Sequence, residues 1–230
     1  MLTREQNELI TRVGPGTPMG AVLREYWLPA LMSDEIAADG DPLRVRLLGE
    51  DLIAFRDSTG RVGLIQSNCP HRGASLFFGR NEEAGLRCVY HGWKFDVSGQ
   101  CVDMPTEAID NRQQAIGDVK ARAYATCERN GVVWTYMGPR SSPPDLPAIE
   151  WNLLPADQVY ITKRVQECNW AQALEGGIDP SHSGFLHAPL HVDLANASPR
   201  ERYRLEKNPR FFLLDTPYGL RIGTRRNGGP

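Results

Sequence analysis

Cys69-Pro70-His71-Arg72-Gly73 and, with sixteen residues between His71 and the next cysteine, Cys88-Val89-Tyr90-His91-Gly92-Trp93 are the stretches on which the reading of this chain turns. Each half offers one thiolate and one imidazole, and each has a glycine directly after its last charged or donor residue. Two cysteines and two histidines can hold a [2Fe–2S] cluster, with the thiolates on one iron and the neutral imidazoles on the other. That exchange removes negative charge and raises the potential. Gly73 and Gly92 allow backbone N–H groups to approach the bridging sulfides, Pro70 stiffens the first loop, and Trp93 is placed to shield one side from water. A structural zinc site takes the same residue types. Zinc fingers, however, favour Cys-Cys followed by His-His over two alternating pairs.

The surrounding sequence predicts short strands. Leu43-Arg44-Val45-Arg46-Leu47 alternates apolar and charged residues with period two. Residues 51–55 and 62–65 read as strands joined by Asp57-Ser58-Thr59-Gly60, and 86–90, 93–97, 119–127 and 131–136 as further strands. Turns at this spacing suggest a small antiparallel sandwich or barrel. Before them, residues 3–13 and 19–27 read as short helices separated by Gly14-Pro15-Gly16-Thr17-Pro18. Residues 138–150, rich in proline and serine, read as a linker. A strand at 159–165, a helix at 170–178 and a hairpin of 211–214 with 220–224 follow.

A second cluster of donors lies at Asp179-Pro180-Ser181-His182-Ser183-Gly184-Phe185-Leu186-His187. On a helix, Asp179 and His182 share a face, and a bend at Gly184 brings His187 back toward His182. Two histidines and a carboxylate with open positions suit a non-haem Fe(II) centre. Asp179 is placed to accept a hydrogen bond from His182 and orient it. Taken alone, the pair could equally be exposed loop histidines; the cysteine–histidine motif upstream gives it weight. His191 is read as a near-site or surface residue.

The motif Cys-Pro-His-Arg-Gly followed by Cys-Val-Tyr-His-Gly-Trp resembles that of Rieske-type ring-hydroxylating oxygenases. Asn169-Trp170 followed by Asp179, His182 and His187 resembles the iron motif of their catalytic domain. Residues 7–20, Tyr26-Trp27-Leu28-Pro29-Ala30, Arg80-Asn81-Glu82-Glu83 and Glu167-Cys168-Asn169-Trp170 are similar to the phthalate dioxygenase group. The resemblance implies an α+β fold: an all-β [2Fe–2S] domain with ligands Cys69, His71, Cys88 and His91, then the start of a helix-grip-type catalytic domain whose mononuclear Fe(II) is held by His182 and His187. Asp179 would bridge this iron site and the cluster of a neighbouring subunit. It also implies O2 activation, an aromatic carboxylate as substrate, an NADH-dependent flavin and iron–sulfur reductase, and a homo-oligomer built on trimers. The expected organisation is an N-terminal helical segment (1–40), the cluster domain (41–137), a linker (138–150) and a partial catalytic domain (151–230). The family's third iron ligand, a distant aspartate, has no recognisable counterpart in Asp193, Glu201, Glu206 or Asp215. The chain ends at Gly228-Gly229-Pro230, so the rest of that domain is expected to be missing. A monooxygenase or aryl O-demethylase shares the same metal sites. A stand-alone Rieske ferredoxin would lack the second motif.

The composition fits this reading. Apolar residues make up 41% of the 230 and charged residues 23%, enough for a sizeable core. The net charge of −2 gives no electrostatic reason to expect nucleic acid or an anionic membrane. There is no apolar run long enough to span a bilayer and no secretory pattern at the start, so a cytoplasmic location is expected. Five cysteines, an odd count, argue against a disulfide framework. A carboxylate substrate would need a cation, and Arg202, Arg204, Arg210, Arg221, Arg225 and Arg226 are available.

Overall fold

A computed structural model describes residues 2–188, 190, 191, 193 and 195–226. It divides into two compact units, 1–165 and 166–230.

The first unit opens with helix α1 (Arg4–Thr11), started by a capping box between Thr3 and Gln6. Helix α2 (Pro18–Arg24) follows, with Thr17 as its cap and Pro18 at the first helical position. It ends at Arg24 instead of running to Trp27 because Trp27–Met32 forms strand β1. The segment read as helical over 1–40 therefore contains a sheet strand. Pro29 is tolerated because β1 lies at the sheet's edge, with an irregular register between Pro29 and Leu31.

Strands β2 (Leu43–Leu47), β3 (Glu50–Arg56) and β4 (Val62–Gln66) form an antiparallel meander. Strands β5 (Arg80–Glu82), β6 (Gly85–Arg87), β7 (Lys94–Phe95) and β8 (Cys101–Asp103) make a four-stranded sheet in sequence order. Helix α3 (Ile109–Asp118) leads to β9 (Ala123–Arg129) and β10 (Val132–Tyr136). The larger sheet runs β1-β10-β9-β4-β3-β2.

Both faces of its centre are buried, and period two sorts the side chains. Ile53, Phe55 and Ile65 join one apolar cluster with Leu76, Leu86, Phe95 and Met104. Their neighbours Leu52, Ala54 and Leu64 join another with Leu31, Val45 and Val133. This explains the unbroken apolar run in β3, which a half-exposed strand would lack. The first cluster also contains Cys69, Cys88 and Trp93, so the first donor motif grows directly out of the core.

Two carboxylates, one of them fully buried, tie this unit together. Glu50 takes hydrogen bonds from Arg24 (2.8 Å), Arg122 (2.8 Å) and the Tyr124 hydroxyl (2.7 Å), fastening α2 to the sheet. Asp57, fully buried, accepts from the Thr59 and Arg61 backbone N–H groups, each at 2.9 Å, and from both of their side chains. Burial alone would raise its carboxyl, but these bonds outweigh it and hold the group below its ordinary 3.8. Because the folded value is the lower one, the stabilisation is complete above the unfolded value and is lost as pH falls through the folded one. Asp57→Ala should cost about 1–3 kcal/mol, or about 2–4 °C of Tm per kcal/mol. In a melting series at decreasing pH the gap between variant and parent should close below pH 3.8.

Residues 159–165, expected to be a strand, belong to none among the described residues. In the second unit, α4 (Trp170–Ile178) is capped by the Asn169 side chain, and α5 (Pro199–Leu205) by a Ser198–Glu201 capping box. The expected hairpin is present as β11 (Arg210–Thr216) and β12 (Gly219–Arg225). Its residues are exposed almost throughout, including Phe211, Phe212, Leu213, Leu214 and Leu220. The α+β character expected from the sequence holds.

Candidate metal centres

The two cysteine–histidine loops fold alike. The first leaves the end of β4 and the second joins β6 to β7. In the first, the Cys69 N–H donates to the Ala74 carbonyl (2.8 Å) and the Gly73 N–H to the Cys69 carbonyl (2.9 Å). In the second, the Cys88 N–H donates to Trp93 (2.8 Å) and the Gly92 N–H to Cys88 (3.0 Å). The same five- and four-residue spans recur because Gly73 and Gly92 both take positive φ, 71° and 75°. Gly92 is doubly constrained, since a Cβ there would lie 2.7 Å from Pro105 Cγ.

This pairing brings like donors together. The Cys69 and Cys88 sulfurs lie beside one another, both buried. The His71 and His91 rings are 4.6 Å apart, tilted by 59°. Trp93 stacks on His71 at 4.2 Å with the planes 5° apart, and Tyr90 covers His91 at 3.9 Å.

Three observations test whether a [2Fe–2S] cluster suits these donors. His71 Nδ1 is buried and has no hydrogen-bond partner, as expected of a nitrogen meant for a metal. Burial and the neighbouring His91 hold the His71 imidazole below its ordinary value, favouring the neutral form a metal requires. The Cys69 thiol is pushed up to about 11 by burial and by Cys88 beside it, against hydrogen bonds from the His71 and Arg72 backbone N–H groups. Two adjacent buried thiolates need a cation between them. The donors come as a sulfur pair and an imidazole pair, one for each iron. The residues present fit the cluster.

The second motif is built differently from expectation. Asp179 and His182 do not share a helix: α4 stops at Ile178, Asp179 is its cap, and His182–Gly184 forms a separate 3-10 turn. The Asp179 carboxylate accepts from the Ser181 N–H (2.7 Å) and the His182 N–H (3.2 Å), which closes the turn. The second of its oxygens also lies 3.3 Å from His182 Nδ1. That contact leaves Nε2 for a metal. The His182 and His187 rings meet edge to face at 5.2 Å. Gly184 acts through close approach, because a Cβ there would sit 2.9 Å from the Glu206 carbonyl oxygen.

Around this turn the arginine candidates sort themselves. Arg226 is buried and spends its guanidinium on the Pro180 and Glu206 carbonyls and on Ser183 Oγ (2.9 Å), so it holds the turn and is not free for substrate. Arg202 donates to the Ala197 carbonyl at 3.1 Å. Arg210, Arg221 and Arg225 lie exposed on the hairpin, while the Arg204 side chain falls outside the described residues. Of the later acids, Asp193 and Glu201 are engaged in local turns and caps, and no third iron ligand is evident among the described residues.

Sequence reasoning missed Asn68 and Arg87, which directly precede the two cluster cysteines and hydrogen-bond to their loops. Their position next to each cysteine was the available signal.

Residues 26–121 match the family model for the Rieske [2Fe-2S] domain, and residues 135–228 that for a LigXa C-terminal domain like segment. The chain thus carries a Rieske domain followed by a LigXa C-terminal-like domain, and the relatives it matches are Rieske oxygenase alpha subunits, which supports a Rieske [2Fe–2S] cluster and a mononuclear non-haem iron as its cofactors. It is 47% identical to the 3-chlorobenzoate-3,4-dioxygenase oxygenase subunit of Comamonas testosteroni, over 95% of this chain and 50% of that protein. It is 45% identical to the phthalate 4,5-dioxygenase oxygenase subunit of Pseudomonas putida, over 98% of this chain and 53% of that one. The chain thus spans about half the length of these curated relatives. The terminal oxygenase of carbazole 1,9a-dioxygenase from Novosphingobium superposes with a TM-score of 0.59 at 32% identity, covering 70% of this chain and 43% of that one. A carbazole 1,9a-dioxygenase oxygenase in complex with ferredoxin gives 0.58 at 32%, covering 72% and 42%. Among the described residues no helix is long and apolar enough to cross a membrane.

Proposed function

We propose that this chain serves in the oxygenase component of an aromatic ring-hydroxylating dioxygenase acting on an aryl carboxylate, in the cytoplasm. Cys69, His71, Cys88 and His91 hold the [2Fe–2S] cluster; His182 and His187 hold the mononuclear iron. When bound, the cluster supplies single electrons and the iron supplies O2 activation.

The observation that carries this reading is the pair of cysteine loops with the same hydrogen-bond pattern, with sulfur beside sulfur and imidazole beside imidazole. The chain's own residues then have definite tasks. Trp93 and Tyr90 cover the imidazoles and limit water around them. Asp179 fixes the turn and the ring orientation of His182. Arg226 braces the same turn from beneath. An NADH-dependent flavin and iron–sulfur reductase is the electron donor, and the working assembly is a trimer-based homo-oligomer. The aryl carboxylate follows from the names of the two relatives above, one a chlorobenzoate and one a phthalate enzyme. A monooxygenase reading is favoured by a third relative, the 5,5'-dehydrodivanillate O-demethylase oxygenase subunit of Sphingobium, at 42% identity.

Iron and acid-labile sulfide assays with EPR of the reduced protein test the proposal. About two sulfides per chain and the low-average-g signal of a cluster with two imidazole ligands are expected. Zinc without sulfide would overturn it. Product analysis with phthalate, 3-chlorobenzoate and a methoxy-substituted aryl carboxylate separates dihydroxylation from O-demethylation.

A further inference from the structure

The two residues that precede the cluster cysteines do the same thing. Asn68 Nδ2 donates to the Gly73 carbonyl at 3.0 Å, and Arg87 Nη1 donates to the Gly92 carbonyl at 2.7 Å. In each loop the donor stands one residue before the cysteine and the acceptor four residues after it. Each acceptor is the glycine at positive φ. The loop's own backbone bonds run from the cysteine N–H and to the cysteine carbonyl. The glycine carbonyl, turned outward by its φ, is left to a side chain.

We propose that Asn68 and Arg87 are matched positioning residues that clamp the two cluster loops shut, and that Arg87 is the dominant one. The proposal rests on reading these loops as the cluster's cradle. The asymmetry follows from surroundings. Asn68 and Gly73 are exposed, so water can replace the amide at little cost. The Arg87 side chain is only 13% exposed and is itself held, Nε by Glu82 (2.5 Å) and Nη1 by Asp103 (2.7 Å). One planar guanidinium thus joins β5, β8 and the second loop, a task that a lysine's single ammonium cannot perform in the same geometry. Its charge also balances two carboxylates close to the imidazole-bearing loop.

The test compares the iron–sulfur-loaded parent with Arg87→Gln, Arg87→Lys, Asn68→Ala and Arg80→Gln. Arg80 pairs with the same Glu82 but is exposed. The readouts are the rate at which an iron chelator strips the cluster and the midpoint potential by EPR-monitored titration. Arg87→Gln should strip about 10–100-fold faster, the usual penalty for losing a group that orients a ligand. Its potential should fall, because Glu82 and Asp103 keep their charge. Arg87→Lys should keep the potential near the parent's while still stripping faster, which separates geometry from charge. Asn68→Ala should have the smaller effect on rate, and Arg80→Gln should change neither readout. Parental stripping rates in both Arg87 variants would overturn the proposal, as would an Arg80→Gln effect as large as that of Arg87→Gln. If Arg87→Gln does not fold, Arg87→Lys decides alone, a parental rate counting against. A parent without sulfide would instead overturn the cluster reading itself.

Discussion

Cys88→Ala should abolish the EPR signal of the reduced protein and remove its acid-labile sulfide. Cys88 supplies half of the sulfur pair, and no other described cysteine is placed to replace it: Cys127 is half-buried in β9 and Cys168 is exposed. Cys101 is buried in the same core, but its sulfur lies 3.5 Å from the Asp103 carbonyl. Loss of the cluster is also loss of folding free energy, because the unfolded chain has no such site. A ligand present at 100 to 1,000 times its dissociation constant contributes about 2.7–4.1 kcal/mol. For a chain of this size that corresponds to a fall in Tm of roughly 5–15 °C. Cys127→Ala, by contrast, should retain signal, sulfide and most of its stability. A Cys88→Ala protein with parental sulfide and spectrum would show that the sulfur pair is not the anchor.

His182→Ala should reduce turnover of an aryl carboxylate at least about 100-fold, since even groups that merely orient a ligand cost 10–100-fold when removed. Mononuclear iron content should fall in parallel, while the cluster spectrum stays intact. The two effects separate because His182 lies in the unit 166–230 and the four cluster donors lie in 1–165. Asp179→Asn should be milder. The single amide oxygen can still accept from one of the Ser181 and His182 N–H groups, which donate to different carboxylate oxygens, but the other bond and the charge facing Nδ1 are gone. Loss of the cluster spectrum in His182→Ala would show that the two sites are not separate.

Much of this was readable from residue types alone. The cluster motif carries its chemistry in four donors and two glycines, and the fold places both glycines at positive φ. Strands β3 and β4 announced themselves by unbroken apolar runs. What failed did so for physical reasons. Strand β1 was hidden by Pro29 and by a preceding helical pattern, and only an edge position with an irregular register accommodates it. Residues 159–165 have strand composition but no ladder among the described residues; Tyr160 and Val165 are exposed. Asp179 and His182 were correctly associated through the wrong geometry: a cap and a 3-10 turn bring them together, where a helix had been expected. The Arg87 clamp needs partners on β5 and β8, which local sequence does not reveal.

The β11–β12 ribbon has a practical consequence. Neither side of it is buried, and Phe211, Phe212, Leu213, Leu214 and Leu220 meet water on a bare two-stranded unit. Ribbons of this kind are marginal alone, and their free edges recruit strands from other molecules. Colloidal behaviour in concentrated solution will therefore be governed by whatever comes to lie over this ribbon, and a lysine placed at Leu213 is the simplest guard against runaway sheet growth.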